Sequence, residues 1–463
     1  MPVLTRIAIA LGRRVQTGVR AVADLSLRHP WLWMVLTAFA LRFAMILTGH
    51  SYQFSANMDH FKFGAETGSI ARSVAEGGGF SSPFTGSTGP TAWIGPGYVY
   101  LLAAVFKLFG VFTTASAIVI LSINSAFSAA NAAVIYLVGK RISDKAVGLV
   151  AGWSWAVIPS FMTLCTTWVW ETTLSALLMT VALLLAIDLC ENASWRKWIG
   201  FGVFWGVAAL ANPALLSVFP LSLAWIAFRL WRAHLPYLKR VTVATLVCIA
   251  TISPWLMRNR VVFGQWVFIR SNFAFEFYLD NHEVPKGETY FSPHPTVNPA
   301  EYEKYKSMGE IAYVDSYRAK AITYVRQHPR AFLQKTGRRV KEIWTNGVLD
   351  YLVLLTSPPS DLKKQSLFAL IMFAGMFLGA INKVRQWPLC AAVVLLYPLP
   401  YYITYPSPRY RHPVEPIMMV LAAYFVVRAG SVAYGVLLEM AGRLRGRAPN
   451  EDASCEANLN ATD

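Results

Sequence analysis

Apolar runs close to twenty residues long recur along most of the chain, separated by short polar loops rich in Lys and Arg. At about 1.5 Å of helix rise per residue, each run is long enough to cross the ~30 Å hydrocarbon core of a bilayer. The runs are continuous rather than alternating. Backbone polar groups in lipid must be satisfied internally, so continuous runs select helices over barrel strands. The pattern predicts about ten spans: 31–47, 113–138, 145–166, 172–190, 197–211, 214–231, 240–257, 366–382, 387–404 and 413–430. The fold class is therefore all-α, a polytopic membrane protein of about ten transmembrane helices.

Lys and Arg set the orientation, because they accumulate in cytoplasmic loops. With the N-terminus inside, the loops carrying Lys140 and Arg141, Arg196 and Lys197, Arg229 to Arg240, and Lys383 and Arg385 all fall on the same side. This requires the apolar run 97–109, too short to span, to lie on the outer surface as an interfacial helix. The organisation that follows is a basic amphipathic cytoplasmic segment, 1–30, which does not read as a cleavable signal. A transmembrane module, 31–257, includes a first outer loop, 49–112. An extracytoplasmic loop, 258–365, contains a helix over 310–344. C-terminal transmembrane helices, 366–435, and a cytoplasmic tail, 436–463, complete the chain.

Composition agrees. Hydrophobic residues make up 55% and charged residues 14%, against roughly 25% charged in a soluble domain. A net charge of +17 suggests nucleic acid, but the basic residues sit between apolar runs, where they orient spans, so no nucleic acid partner is expected. The 16 tryptophans and 20 tyrosines fit interfacial belts. The five cysteines show neither CxxC nor metal spacing, and four of them read as small hydrophobes in or beside spans.

Chemistry is expected where outer loops meet the membrane. In NMDHFKFGAETGSIARSVAEGGGF, Asp59 and Glu66 stand two turns apart on one helix face, about 10 Å along the axis. Either suits a general base. The alternative is a salt-bridge ladder through Lys62. Glu171, in TTWVWETTLSALL, lies at the outer mouth of a span, where a carboxylate is hydrated, paired, used, or favoured by the helix dipole. Arg409, Arg411 and His412, in YPSPRYRHPVEP, occupy a proline-stiffened outer loop. An arginine there can grip a phosphate with two hydrogen bonds or anchor to lipid headgroups. Arg258, Arg260 and Arg270 open the large outer loop, against the positive-inside trend, and invite an anionic ligand. His60, His282, His294 and His328 form no ligand pattern, so no metal site is assigned.

Taken in order, these pieces resemble the GT-C glycosyltransferases, in particular the family-39-like branch of protein mannosyltransferases and aminoarabinose transferases. They are an acid ahead of IARS, then PTAWIGPGYVYLLAAVFKLFG, VWETTL, PWLMRNRVVFG and RYRHPVEP, and together they cover roughly 31–430. The resemblance implies a GT-C-like fold with interfacial helices in the first outer loop. It implies a polyprenyl-phosphate sugar donor and an extracytoplasmic acceptor: a lipid, a glycan or a protein. It gives the base to Asp59 or Glu66, the second acidic position to Glu171, and the donor phosphate to Arg409 and Arg411, with Arg258 and His412 as further substrate-binding candidates. No cofactor is assigned, and a divalent metal is left open. Some relatives carry an acid before the proline of the surface helix, where this chain has Ile94 and Gly95.

The expected reaction is an inverting displacement at the anomeric carbon in a bacterial inner membrane, with the active site facing outside. The rival from another class is a transporter or flippase for an envelope lipid or glycan, which would place charges near mid-span. Arg42 is the main mid-span charge here. A non-catalytic assembly subunit is a third reading. The topology is testable by cysteine accessibility: single cysteines within the loops 49–112 and 258–365 should label from outside, and one at position 140 should not.

Overall fold

The computed structural model describes residues 28–54, 63–191, 194–285, 288–345 and 360–445. Residues 1–27, Asp59 with Lys62, and the tail from 446 onward lie outside the described residues. The described residues are helical, joined by turns, with a single isolated bridge between Ser81 and Pro90. The helices are α1 (Pro30–Thr48), α2 (Glu66–Ala75), α3 (Pro96–Phe109), α4 (Thr114–Ile142), α5 (Lys145–Val157), α6 (Thr163–Thr167), α7 (Thr172–Leu189), α8 (Trp195–Ala211), α9 (Phe219–Arg232) and α10 (Leu238–Phe263). The large polar segment folds as α11 (Phe273–Leu279), α12 (Pro299–Met308), α13 (Glu310–Gln327) and α14 (Pro329–Thr345). The chain returns through α15 (Ser360–Ile381), α16 (Trp387–Leu396), α17 (Leu399–Ile403) and α18 (Glu415–Arg445).

Among the described residues, six helices are long and apolar enough to cross a membrane: α1, α4, α7, the 213–232 segment ending in α9, α10 and α18. The protein is an integral multi-pass membrane protein. Of the other four expected spans, three are shorter helices and the fourth, in α15, is apolar only over 366–381, and proline accounts for two of the differences. The expected span 145–166 stops at Val157, ahead of Pro159, and resumes as a 3₁₀ turn and α6. The span 387–404 breaks around Pro398 into α16 and α17. In the large polar segment, the single helix expected over 310–344 is divided at His328, because Pro329 cannot continue an i to i−4 ladder. The expected 97–109 surface helix is present as α3. It buries Tyr98, Val99, Leu102 and Phe106 and leaves Tyr100 and Leu108 exposed.

Helix pairs in the spans meet through small residues, as lipid supplies no hydrophobic drive between them. Gly148 and Gly152 of α5 form a GxxxG face against α4, where a Cβ on Gly148 would lie 2.6 Å from the Tyr136 carbonyl oxygen. Gly202 and Gly206 do the same for α8 against α10, where a Cβ on Gly202 would meet the Ala244 oxygen at 2.5 Å. Ending α5 early frees carbonyls inside the membrane. Arg42, fully buried, donates to the oxygens of Trp155 (2.9 Å) and Ala156 (3.0 Å), to Ala38 O and to Ser128 Oγ. At the opposite end of the bundle, Arg141 pairs with Asp188 at 2.5 Å and Arg428 with Asp144 at 2.6 Å.

The two large polar segments close on each other through one carboxylate. Glu310, at the start of α13, is buried and accepts from Ala92 N (2.8 Å), Ser271 Oγ (2.7 Å), Tyr305 Oη (2.8 Å) and Thr91 Oγ1. Burial leaves its carboxyl above the ordinary range although all four partners are donors. The Ser271 amide also donates to Ala92 O at 2.9 Å. Asp280 makes a second tie. It accepts from Arg338 at 2.8 Å and from the fully buried Arg339 at 2.8 Å, and Arg339 also holds the Ile403 carbonyl.

Glutamine at position 310 would turn an amide N–H₂ toward donors and strand at least one of them. Glu310→Gln should lower stability by about 1–3 kcal/mol and speed proteolysis within 258–345, leaving the spans protected. Thermal unfolding and limited proteolysis in detergent measure both.

Candidate functional site

The start of α2 is set by a turn. Gly64 adopts φ +86°, and a Cβ there would collide with the Val169 carbonyl oxygen. Only glycine allows this approach. It draws the first outer loop onto the 168–171 segment, itself held by Asn124, which accepts from Tyr98 Oη (2.9 Å) and donates to Trp168 O (3.3 Å). The next residue, Ala65, is also left of the usual range at φ +45°, a strained conformation for a side chain. The helix therefore begins at Glu66. The continuous helix that would have put Asp59 and Glu66 on one face is interrupted at 63–65.

Glu66 and Glu171 line the same cavity, of about 670 Å³, within the ~300–1,000 Å³ usual for ligand sites. Its walls come from one end of the bundle: the first outer loop, the starts of α7 and of the 213–232 segment, the segment after α10, α11, and the 397–413 region. Glu171 caps the N-terminal end of α7, and its carboxylate makes no hydrogen bond among the described residues. The helix dipole favours its charge, and Arg409 feels it across the cavity.

Arg409 is clamped between rings. Its guanidinium lies 4.1 Å from the centre of Trp170 and 5.0 Å from Tyr410, and Nη2 donates to Tyr410 Oη at 3.2 Å. Trp170 is stacked in turn on Trp168 at 4.6 Å, and Tyr410 on Tyr401 at 4.2 Å. Stacking of this kind fixes a guanidinium plane in a way that suits a phosphate.

The other basic candidates are placed differently. Arg258 does not line the cavity. It donates to Thr91 O at 2.7 Å and Phe80 O at 2.8 Å, and so pins the first outer loop to α10. Arg411 is buried, pairs with Glu415 at 3.2 Å and donates to Ile343 O at 3.2 Å. His412 bonds the other oxygen of Glu415 at 2.8 Å and packs on Trp155. Asp59 lies outside the described residues.

Three further charged or titratable residues face the cavity and were not among the principal candidates: Arg270, Glu276 and His294. Arg270 donates through Nε to Trp93 O at 3.1 Å, which leaves its Nη groups without a hydrogen bond among the described residues. Burial pushes Glu276 up to about 7, eased by Arg270, raised again by Glu66, and eased by Arg409 and the Tyr405 hydroxyl. Its signal in the sequence was a single carboxylate inside the aromatic run FAFEFYL. His294 is buried against Glu66, 3.3 Å away. Its signal was a histidine fixed between Pro293 and Pro295. Among the described residues, no group of three or more His, Cys, Asp or Glu side chains could hold a metal ion. No step is routed through a metal ion.

Residues 93–257 match the family model described as dolichyl-phosphate-mannose-protein mannosyltransferase. No curated protein sequence matches the chain. Among solved structures, the oligosaccharyltransferase AglB from Archaeoglobus fulgidus, in complex with an inhibitory peptide and a dolichol-phosphate, aligns with a TM-score of 0.50 at 14% identity. The alignment covers 92% of this chain and 52% of that one. The apo form of the Archaeoglobus fulgidus oligosaccharyltransferase aligns at 0.52 and 14% identity, covering 91% and 53%. ArnT from Cupriavidus metallidurans, bound to undecaprenyl phosphate, aligns at 0.37 and 12% identity, covering 87% and 78%. The chain thus spans about half the length of the oligosaccharyltransferases whose fold it shares. The family model and the shared fold thus point the same way, toward membrane glycosyltransferases as the proteins this chain is similar to.

The two loop arginines should separate cleanly. Arg409→Lys keeps the charge but loses the planar fork and should raise the concentration of anionic donor needed for half-maximal activity at least tenfold, with unfolding unchanged. Arg411→Lys should instead lower the unfolding temperature and leave donor dependence near wild type.

Proposed function

We propose that this protein transfers a sugar from a polyprenyl-phosphate donor to the hydroxyl of an extracytoplasmic acceptor, with inversion at the anomeric carbon, in a bacterial inner membrane. The observation that carries this is the convergence of Glu66, Glu171, Glu276, Arg270 and Arg409 on one cavity at the span ends. A polyprenyl phosphate needs cations at the height of its headgroup and a route for its tail. The arginines supply the first, and the wall formed by Tyr397, Pro400 and Tyr401 at a span end lies toward the second. The oligosaccharyltransferase of similar fold was solved with a dolichol-phosphate, which agrees with a lipid-phosphate donor.

In this reading Glu66 accepts the acceptor's hydroxyl proton as the oxygen bonds the anomeric carbon and the bond to phosphate breaks. Arg409, with Arg270, stabilises the charge that grows on the leaving phosphate. Preorganised electrostatic partners of this kind contribute about 3–4 kcal/mol each. Glu171 and Glu276 accept hydrogen bonds from the sugar or acceptor. The transporter reading lacks its mid-span charge, because Arg42 is consumed by helix carbonyls and Ser128. Acceptor class is set by lipid, glycan and protein arms of the same assay.

Purified protein in detergent, offered a panel of polyprenyl-phosphate sugars, should release polyprenyl phosphate from at least one donor in the presence of acceptor. Glu66→Gln and Glu171→Gln should each cut that release about a hundredfold or more with normal folding. Near-normal turnover in both would remove these carboxylates from the mechanism.

A further inference from the structure

We propose that His294 is a positioning residue that holds Glu66 as the base, through a ring tautomer fixed by the backbone. The role rests on the reading of the cavity as a glycosyltransferase site.

The Thr296 backbone N–H donates to His294 Nδ1 at 3.2 Å. A neutral imidazole that accepts at Nδ1 carries its proton on Nε2. That nitrogen lies 3.3 Å from Glu66 Oε1, so Nε2–H faces the carboxylate at ion-pair distance. The Thr296 hydroxyl donates to the same oxygen at 3.4 Å. Both partners of Glu66 sit on Oε1, and Oε2 makes no hydrogen bond among the described residues. One oxygen is tethered and the other is left for substrate.

The ring cannot turn freely. It is 3% exposed. It stacks on Phe291 at 4.4 Å and 10°, with Phe275 and Phe84 edge-on at 5.5 Å and 5.8 Å. Burial lowers its pKa and Glu66 opposes this, so the neutral donor form persists. His294 is not a proton relay, since Nε2 already carries a proton and Nδ1 is covered. The acceptor's proton stays on Glu66 as the new glycosidic bond forms and polyprenyl phosphate departs.

The tethered carboxylate stands where two substrates would meet. A second, smaller cavity of about 310 Å³, with Ser69, Phe84, Thr85 and Tyr302 on its walls, shares Ala65, Glu66 and Thr296 with the main one. A hydroxyl entering from the smaller cavity reaches the donor in the larger one across Glu66.

The other charged and titratable groups near the pair are Glu276 on α11, with Arg270 and Arg409 beyond it, and Tyr290 and Tyr302 on the cavity walls. They are common to every variant compared, so they cancel in the comparison. The test uses the full chain in detergent with a donor the wild type consumes, following released polyprenyl phosphate across the acid-to-neutral range. His294→Phe keeps the stack and removes the N–H. It should lower kcat about 10- to 100-fold, with donor KM little changed. His294→Gln restores an N–H donor and should recover most of kcat. A folded His294→Phe with wild-type kcat overturns the proposal, as does a His294→Gln no better than His294→Phe. If thermal unfolding shows that the Phe variant does not fold, His294→Met provides the same comparison. A wild type that releases polyprenyl phosphate from no donor removes the glycosyltransferase reading itself, and this role with it.

Discussion

Four donors pointing at one buried carboxylate hold the two large polar segments of this protein together. Glu310 gathers Thr91 and Ala92 of the first polar segment with Ser271 and Tyr305 of the second. Burying a carboxylate is costly unless its lone pairs are filled, and here they are filled by parts of the chain more than two hundred residues apart. The alignment reaches the site directly. Ser271 sits beside Arg270, whose guanidinium rests on the Trp93 carbonyl, two residues from Thr91. Shifting this joint would move one wall of the cavity against another.

Within the cavity, the charges are arranged by type of support. Arg409 is held by the Trp170 and Tyr410 rings, so it keeps its orientation without spending its fork on carboxylates. Glu66 is fixed through one oxygen only. Glu171 is supported by the end of a helix, which stabilises charge without occupying either oxygen. Each charged group thus keeps polar atoms free toward the cavity.

Much of this was legible in the sequence. Span-length apolar runs gave the all-helical membrane fold, and carboxylates or arginines at span ends pointed to Glu66, Glu171 and Arg409. The breaks at Pro159, Pro329 and Pro398 were written in the chain, but long apolar or polar runs around them masked their effect. Arg258 and Arg411 show what sequence does not carry. They resemble Arg409 in composition and loop position, yet their guanidiniums are spent on backbone oxygens and on Glu415. Whether a fork is free depends on which distant carbonyls reach it. Glu276 and His294 were hidden for the converse reason: an aromatic run and a proline pair look like packing until the fold turns them toward a cavity.

Several of the ties that frame the site grip main-chain oxygens: Arg258 holds Phe80 and Thr91, and Arg339 holds Ile403. A peptide carbonyl is the same whatever side chain it carries. The frame is therefore indifferent to the identity of many residues it secures. Side chains on the loops bordering the cavity can therefore be exchanged without breaking these ties, so the lining of the cavity and the frame that aims its charges are separable.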